Sequence, residues 1–305
     1  MSADRGFLPS WRPGPTRERL VGFLDASEAV PADQRVAVFD NDGTLWCERP
    51  VYAQLAFFVD ALRSAVSEDP RLGDRPEYAA LLEGDREGVA SLGLGRVALA
   101  LAELFAGIEP AEFADRCRRF VSDALHPTLG VPFARTVYQP MVELLTELRA
   151  RGFATFIVTG GGTEFVRAVS NDRYGVPPEG VVGTLIGYQL VRRNGRPVLV
   201  RTATLQGAAN EGPAKIEHIQ AFLGRHPILA VGNSAGDWDM LEYTSSLPGP
   251  SLGVLVDHDD AEREFAYEGE AATFETELTG RDMADRHGWL VVSMQRDWAQ
   301  VFPSG

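Results

Sequence analysis

The sequence predicts an α/β protein in which helices cover both faces of a parallel β-sheet. Four short apolar runs, each followed by polar or glycine-bearing residues, have the composition of buried strands. Helical sequence separates these runs, as crossovers between parallel strands require. The polar motifs of the chain follow the strand ends, which is where ligands bind in such sheets. The predicted strands are residues 35–40, 153–159, 227–232 and 251–256.

The first strand is followed by an insertion. Roughly a hundred residues separate it from the second strand, far more than the 10–12 residues of a minimal crossover. Apolar residues recur there at helical spacing, which predicts a cap of about four to five helices. We expect a core made of residues 1–46 and 150–305 and a helical cap at residues 47–149. The clearest helical segments are residues 52–66, 97–105, 113–125 and 137–148.

The later strands have their own local signals. Gly160, Gly161 and Gly162 follow the second strand and lead into a helix near Glu164. Residues 186–201 alternate around Asn194 and Gly195, a pair that favours a tight hairpin turn with both residues at positive φ. Residues 289–294 are compatible with one more strand near the end of the sequence.

Composition narrows the classes of partner. The sequence of 305 residues is 45% hydrophobic, enough for one large domain or two ordinary ones. The net charge of -14 argues against a nucleic acid or an anionic membrane as partner, so we expect a small or neutral partner instead. The first twenty residues have no apolar signal segment, which favours a cytoplasmic location. Cys47 and Cys117 are expected to be free thiols, and nothing in the sequence indicates the oligomeric state.

Two carboxylates follow the first strand directly, at Asp40 and Asp42 of the segment Asp-Asn-Asp-Gly-Thr. A loop at the sheet edge can aim both inward. Cleaving a phosphate monoester requires a nucleophile, a cation beside the phosphoryl oxygens and a proton for the leaving alkoxide. Two neighbouring aspartates and a hard metal ion can supply all three. Alone, an Asp-Gly pair indicates only a turn.

Three further motifs support the chemical interpretation. Thr159 ends the second predicted strand, and its hydroxyl and the Gly160 amide are suited to holding an anion. Lys215, at the start of a helix before the fourth motif, can offset the charge of carboxylate and phosphate. Asn233 and Asp237 follow the third predicted strand and carry the oxygen ligands that Mg²⁺ prefers.

These four motifs, in this order, resemble those of the haloacid dehalogenase-like (HAD) phosphatases, most closely the phosphoserine-phosphatase-like branch. The resemblance covers about residues 35–241 and implies a Rossmann-like core with a helical cap of the first type. It implies that Asp40 attacks phosphorus and that Asp42 protonates the leaving group and then activates water. Thr159 and Gly160 would hold the phosphoryl oxygens, and Lys215 would steady the nucleophile. Mg²⁺ would be bound by Asp40, Asp42, Asn233 and Asp237, with Asp42 contributing its backbone carbonyl.

The sequence departs from this family pattern at two positions. Asn233 stands where many relatives have an aspartate, so the predicted metal site has one negative charge fewer. Arg49 stands nine residues after Asp40, where phosphoserine phosphatases carry a glutamate for the substrate ammonium, and Glu48 lies beside it. Phosphoserine is therefore not the expected substrate.

Two alternatives remain open from the sequence. The segment from Gly232 to Gly236 has the Gly-x-Ser-x-Gly spacing of a serine α/β-hydrolase, with Ser234 as nucleophile, Asp257 or Asp259 as the acid and His287 as the base. That alternative leaves the paired aspartates unexplained. A non-catalytic module that binds phosphorylated ligands is the second alternative.

Overall fold

The computed structural model of the protein describes residues 7–304 and contains one mixed β-sheet flanked by helices. The predicted α/β class is confirmed. The strands are β1 (Val36–Phe39), β2 (Ala154–Gly162), β3 (Val181–Arg193), β4 (Arg196–Gln206), β5 (Leu229–Gly232), β6 (Leu252–Asp259), β7 (Ala266–Tyr267) and β8 (Leu290–Ser293).

The helices lie before, between and after these strands. Among residues 7–304, no helix is both long enough and apolar enough to cross a lipid bilayer. The helices are α1 (Pro15–Ala26), α2 (Ala53–Glu68), α3 (Pro76–Glu83), α4 (Arg86–Leu92), α5 (Leu94–Glu103), α6 (Pro110–Asp123), α7 (Gln139–Ala150), α8 (Thr163–Tyr174), α9 (Pro213–Leu223), α10 (Trp238–Ser245), α11 (Gly280–His287) and α12 (Met294–Asp297).

The sheet has the order β4-β3-β2-β1-β5-β6, and both β7 and β8 pair with β6. The pairs from β3 through β6 are parallel, as is the pair of β6 and β8, whereas β4 and β7 are antiparallel to their neighbours. Strand β1 is central and fully buried, because β2 and β5 flank it and apolar side chains cover both of its faces. Its carboxyl end therefore opens next to the ends of β2 and β5.

Six helices, α2 to α7, lie between β1 and β2 in the described chain, and two short ones, α3 and α4, were not predicted. Helix α7 differs from the rest of the insertion because it packs directly on the core strand β2. Its residues Met141, Leu144 and Leu148 are fully buried in the same apolar cluster as β1 and β2. It therefore packs against the sheet, although the predicted cap includes it. The boundaries of the predicted cap, at residues 47 and 149, stay a prediction.

The hairpin of β3 and β4 forms at the predicted turn. Asn194 and Gly195 have φ angles of 51° and 77°, the positive values that a tight turn of this type requires. Midway along β4 the hairpin meets the insertion, because the Arg201 carbonyl accepts from the Gly107 amide at 2.8 Å and the Arg201 amide donates to the Ile108 carbonyl at 2.9 Å. These bonds tie the inserted helices to the edge of the sheet.

Candidate active site

Strand β1 delivers a tight acidic loop to the carboxyl edge of the sheet. The Asp40 amide donates to the Val231 carbonyl of β5 at 2.9 Å, so strand pairing fixes the point at which the loop begins. The Asn41 carbonyl accepts from the amides of Leu45 and Trp46, at 2.8 and 3.3 Å, and closes the turn. This turn holds Asp40 at the edge of the sheet.

Gly43 lets this loop pack directly against two polar side chains. Its φ of 76° is in the left-handed region, which favours glycine. A Cβ atom at this position would lie 2.0 Å from Asn233 Nδ2 and 2.8 Å from Glu48 Oε1, closer than any real contact. Only glycine fits here, so the acidic loop, Asn233 and Glu48 form one packed unit.

Lys215 lies at the centre of the site and is only 2% exposed. Its ammonium donates to Asp40 Oδ1 at 2.7 Å, to Asp237 Oδ1 at 2.5 Å and to the Val158 carbonyl at 2.8 Å. A lysine ammonium has three N–H donors, so each donor has an acceptor. The lysine therefore fixes Asp40 relative to β2 and to the loop after β5.

The protonation states of Asp40 and Lys215 depend on their burial and on the charges beside them. Burial and the nearby Asp237 carboxylate raise the pKa of Asp40 well above its usual value, while Lys215 acts against them. Burial alone would lower the pKa of Lys215, but Asp237 and Asp40 outweigh burial and raise it. The lysine is therefore charged, and a second cation beside Asp40 would further favour its carboxylate form.

Both carboxylate oxygens of Asp237 accept hydrogen bonds from other groups of the protein. Besides Lys215 on Oδ1, its Oδ2 accepts from the amides of Asn233 and Ser234, each at 3.0 Å, and from the Ser234 hydroxyl at 3.2 Å. The side chain thus closes the loop after β5 and holds the lysine. Its predicted part in metal binding stays a prediction.

Asp42 is half-buried and faces the glycine segment at the end of β2. Its Oδ1 accepts from Trp46 Nε1 at 2.9 Å, and its Oδ2 accepts from Asn41 Nδ2 at 3.2 Å. A Cβ on Gly161 would lie 3.6 Å from Asp42 Oδ2. Burial raises the pKa of Asp42, although its bonds to Trp46 and Asn41 act in the opposite direction. A raised pKa suits a group that must give up a proton.

The two residues predicted to hold the phosphoryl group, Thr159 and Gly160, lie within strand β2 and not at its end. Strand β2 continues past Thr159 to Gly162, since β3 pairs with it on both sides of an irregularity between Val158 and Gly162. The buried Thr159 hydroxyl accepts from the Gly161 amide at 3.0 Å, which leaves its proton available to a phosphoryl oxygen. Gly160 is exposed and lines the adjoining cavity.

Asn233 joins the site from the loop after β5. Its Oδ1 accepts from the Thr44 hydroxyl at 3.2 Å, and its Nδ2 donates to Glu48 Oε1 at 3.1 Å. Glu48 is buried, with 6% exposure, and lines the same cavity as Asp40 and Asp42. Burial raises the pKa of Glu48, against the effects of His258 and the Tyr267 hydroxyl.

A cavity of about 350 Å³ opens above these groups. Its polar floor contains Asp40, Asp42, Glu48, Lys215 and Asp237. The inserted helices supply the opposite wall, so a substrate held at the floor would contact them. This wall is formed by Tyr52, which precedes α2, by Gln54, Leu55 and Phe58 of α2, and by Ala98 of α5.

The oxygen-rich floor fits a hard divalent cation. The floor has four carboxylates, Asp40, Asp42, Glu48 and Asp237, and a single ammonium, so it carries a surplus of negative charge when they are ionised. Carboxylate and amide oxygens are ligands that Mg²⁺ accepts. Among residues 7–304 no three His, Cys, Asp or Glu side chains form a metal-ligand cluster, so a cation would also need Asn233 or a backbone carbonyl.

The residues of the serine-hydrolase alternative do not assemble, and this alternative is therefore wrong. The Ser234 hydroxyl contacts Asp237 at 3.2 Å. His287 lies 3.8 Å from Glu242 and stacks on Trp289. The two candidate acids are engaged elsewhere. Asp257 pairs with Arg281, and Asp259 accepts from Ser293 at 2.5 Å.

Replacing Ser234 by alanine is therefore expected to reduce turnover less than tenfold, because the hydroxyl only helps to cap the loop at Asp237. Loss of such a cap costs about 1 kcal/mol of stability. Steady-state kinetics and thermal unfolding of Ser234→Ala measure both effects. A loss of a thousandfold or more would restore the serine mechanism.

Three buried residues behind the acidic loop, Tyr138, His258 and Glu264, were not predicted from the sequence to support it. His258 Nε2 lies 2.8 Å from the Gly43 carbonyl, and its Nδ1 lies 3.2 Å from Glu264 Oε2. Glu264 Oε1 also accepts from Cys47 at 3.0 Å and from the Tyr138 hydroxyl at 2.8 Å. These contacts support the loop from below, and burial beside Glu264 raises the pKa of the Cys47 thiol, which keeps it protonated.

Comparison with known proteins identifies the family. Residues 37–242 match the family described as haloacid dehalogenase-like hydrolase, which is more than half of the chain. The chain belongs to this family. The predicted resemblance to the HAD family is confirmed, and membership of this family makes the protein a hydrolase. No curated protein matches the chain.

Two solved structures of unknown function share the fold of this chain at low sequence identity. A protein of unknown function from Bordetella pertussis Tohama I is 19% identical, with a TM-score of 0.52, 85% of this chain covered and 98% of that one. A functionally unknown protein from Anaerococcus prevotii DSM 20548 is 15% identical, with a TM-score of 0.52 and coverage of 80% and 86%. A phosphoserine phosphohydrolase-like protein from Francisella tularensis subsp. tularensis SCHU S4 is 17% identical, with a TM-score of 0.37 and coverage of 73% and 88%.

Proposed function

We propose that the protein is a Mg²⁺-dependent phosphatase of the phosphoserine-phosphatase-like branch, which hydrolyses a small phosphomonoester through a phospho-aspartyl intermediate on Asp40. The observation that carries this proposal is the placement of Asp40. One of its oxygens is held by the buried Lys215, 2.7 Å away, and its side chain lines the cavity beside Asp42. A fixed carboxylate next to a proton donor is the arrangement that nucleophilic catalysis on phosphorus requires.

The proposed reaction has two displacements at phosphorus. In the first, Asp40 Oδ2 bonds to phosphorus while the bond to the leaving oxygen breaks, and Asp42 gives that oxygen its proton. In the second, Asp42 takes a proton from water, the water oxygen bonds to phosphorus, and the bond to Asp40 breaks. Inorganic phosphate leaves and both side chains return to their starting forms.

The remaining residues hold the phosphoryl group and the cation. The Thr159 hydroxyl and the Gly160 amide would bind phosphoryl oxygens, and Lys215 would keep Asp40 oriented. Asp40, the Asp42 carbonyl, Asn233 and Asp237 are the proposed residues around Mg²⁺. When bound, Mg²⁺ would supply charge neutralisation at the phosphoryl oxygens.

The substrate is proposed to be a small phosphorylated metabolite with an apolar part. Support comes from the cavity volume of about 350 Å³ and from the wall of Tyr52, Leu55 and Phe58 opposite the floor. Residues 47–149 are proposed to act as a cap that excludes water during phosphoryl transfer, and α2 is its closest part to the floor. Phosphoserine is not proposed, since Arg49 stands where phosphoserine phosphatases carry a glutamate for the substrate ammonium. Arg49 stacks on Tyr267, with its guanidinium carbon 4.5 Å from the ring centre, and does not line the cavity.

A screen for phosphate release tests the proposal. Purified protein is incubated with a panel of phosphomonoesters, once with Mg²⁺ and once with EDTA, and inorganic phosphate is measured. Release that depends on Mg²⁺ is expected for at least one small ester. No release from any ester, together with measurable ligand binding, would favour the non-catalytic binding module.

Replacing Asp42 by asparagine is expected to lower kcat about 10²-fold to 10⁴-fold, the range that general acid–base catalysis contributes. The proton donor must be protonated, so the wild-type rate falls as pH rises through the raised pKa of Asp42. Asparagine has no such proton, and this decline should disappear from the profile of kcat against pH. An unchanged profile would contradict the assignment of Asp42 as the acid.

A further inference from the structure

Glu48 is a buried acid whose position needs an explanation. Its carboxylate is 6% exposed, accepts from Asn233 Nδ2 at 3.1 Å and is hydrogen-bonded by Tyr267. Within residues 7–304 no Lys or Arg forms an ion pair with it, although His258 and Arg49 interact with it electrostatically. A buried carboxylate without a paired cation is costly, so a cation bound beside it would stabilise its charged form.

The neighbouring Asn233 lacks a charge at the place where the family pattern usually has one. An aspartate there would bring a carboxylate to the sheet edge, whereas the amide brings none. Glu48 Oε1 and Asn233 Nδ2 are 3.1 Å apart, and both pack on Gly43. The charge missing at position 233 is therefore present on the side chain in contact with it.

The same contact explains why residue 233 is an asparagine and not an aspartate. An aspartate at this place would set two carboxylates about 3 Å apart, and they would repel each other in a buried site. The amide instead donates to Glu48. This bond orients the side chain so that Oδ1, the only oxygen that can bind a metal ion, is the atom facing the Thr44 hydroxyl.

We propose that Glu48 and Asn233 act as one anionic unit that replaces a carboxylate at position 233 and, together with Asp40, binds the divalent cation of the site. Glu48 supplies the charge and Asn233 supplies the amide oxygen. This inference rests on the proposed function, because it assigns a cation to the same acidic floor. It extends that function by assigning a metal-binding role to a residue outside the four motifs.

Cation binding without any substrate tests the proposal. Mn²⁺, which accepts the same oxygen ligands as Mg²⁺, is titrated into metal-free protein, and unbound Mn²⁺ is measured by electron paramagnetic resonance. Competition with Mg²⁺ gives the affinity for the second ion. The variants are Glu48→Gln, Asn233→Asp and the double variant that carries both changes. Glutamine keeps the size of the side chain and an oxygen that accepts from Asn233, so it removes charge with little loss of packing.

The expected pattern is a charge exchange, in which a carboxylate at position 233 compensates for the loss of the carboxylate at position 48. Glu48→Gln weakens Mn²⁺ binding about tenfold or more, the loss typical when a group supporting a metal site is removed. Asn233→Asp alone does not strengthen binding, because the added carboxylate faces Glu48. The double variant restores the affinity to within about threefold of wild type, since it carries the charge at position 233 instead.

A matched control separates this local role from the general charge of the cavity. Glu270 also lines the cavity but is exposed, and Glu270→Gln is expected to change Mn²⁺ affinity less than twofold. Thermal unfolding of each metal-free variant shows whether it is folded before titration.

Three results would overturn the proposal. They are unchanged affinity in Glu48→Gln, tighter binding in Asn233→Asp alone, and no binding of either ion by the wild-type protein. A phosphatase screen without activity, combined with the charge-exchange pattern, would reject the proposed function and leave the cation site in place.

Discussion

Replacing Asp40 by asparagine is expected to reduce turnover at least about a thousandfold, because an amide oxygen cannot form the acyl phosphate. The fold should persist. Asparagine has the same size, and its oxygen can still accept from Lys215, which lies 2.7 Å from Asp40 Oδ1. The change also removes the repulsion between Asp40 and Asp237 that contributes to the raised pKa of Asp40. Kinetics and urea unfolding of the same preparation measure both quantities.

The control for this variant is Asp60→Asn. It makes the same chemical change on an exposed residue of α2 that does not line the catalytic cavity. Its turnover should match that of the wild type. If Asp40→Asn also kept wild-type turnover, Asp40 would not be the nucleophile; a large fall in its unfolding free energy would instead indicate a structural role.

Replacing Lys215 by methionine is expected to have the largest effect on stability. The side chain is 2% exposed, and its ammonium bridges two carboxylates at 2.7 and 2.5 Å. Without it, Asp40 and Asp237 would remain buried close to each other without their cation. Removing one partner of a buried ion pair costs about 3–5 kcal/mol of unfolding free energy. Turnover should be lost as well, since Asp40 would no longer be held in place.

Urea unfolding near neutral pH measures this loss. Arg118→Met is the control, because Arg118 pairs with Asp115 on the exposed side of α6, and such pairs contribute less than about 1 kcal/mol. Adding Asp237→Asn to Lys215→Met should recover part of the stability by removing one unpaired charge. If Lys215→Met unfolded at the same urea concentration as the wild type, the lysine would not be the counterion of this cluster.

The strands of the core were predictable because their signal is local. Buried parallel strands have apolar residues on both faces, so β1, β2, β5 and β6 each stand out as a short apolar run. The hairpin was predictable for a similar reason, since two adjacent residues, Asn194 and Gly195, encode its turn. The acidic loop and the loop after β5 then meet because their strands are neighbours in the sheet.

The features that were missed depend on contacts between distant segments. Strand β2 continues through three glycines because β3 pairs beside them, which no local pattern indicates. Gln54 of α2 accepts from the Gly162 amide at 2.8 Å, a contact that needs the insertion to fold over the sheet. Glu48 gave one usable signal, an acid close in sequence to Asp40, but its burial against Asn233 was visible only in three dimensions.

Helix α7 shows the limit of periodicity as a guide to position. Its apolar spacing predicts a helix correctly, yet the same spacing fits a helix of the insertion and a helix under the sheet equally well. Its side chains Met141, Leu144, Leu145 and Leu148 are all fully buried, because it lies on β2. Which layer a helix joins is decided by the topology of the chain and not by its own pattern.

Lys215 is the only lysine in the sequence, and every other side chain with a permanent positive charge is an arginine. Protein grown on lysine labelled with ¹⁵N at the side chain would carry the isotope on a single ammonium in the middle of the floor. Burial and three acceptors should slow the exchange of its protons with water. One resonance in a nuclear magnetic resonance spectrum would then report the arrival of a cation or a phosphate in the unmodified protein.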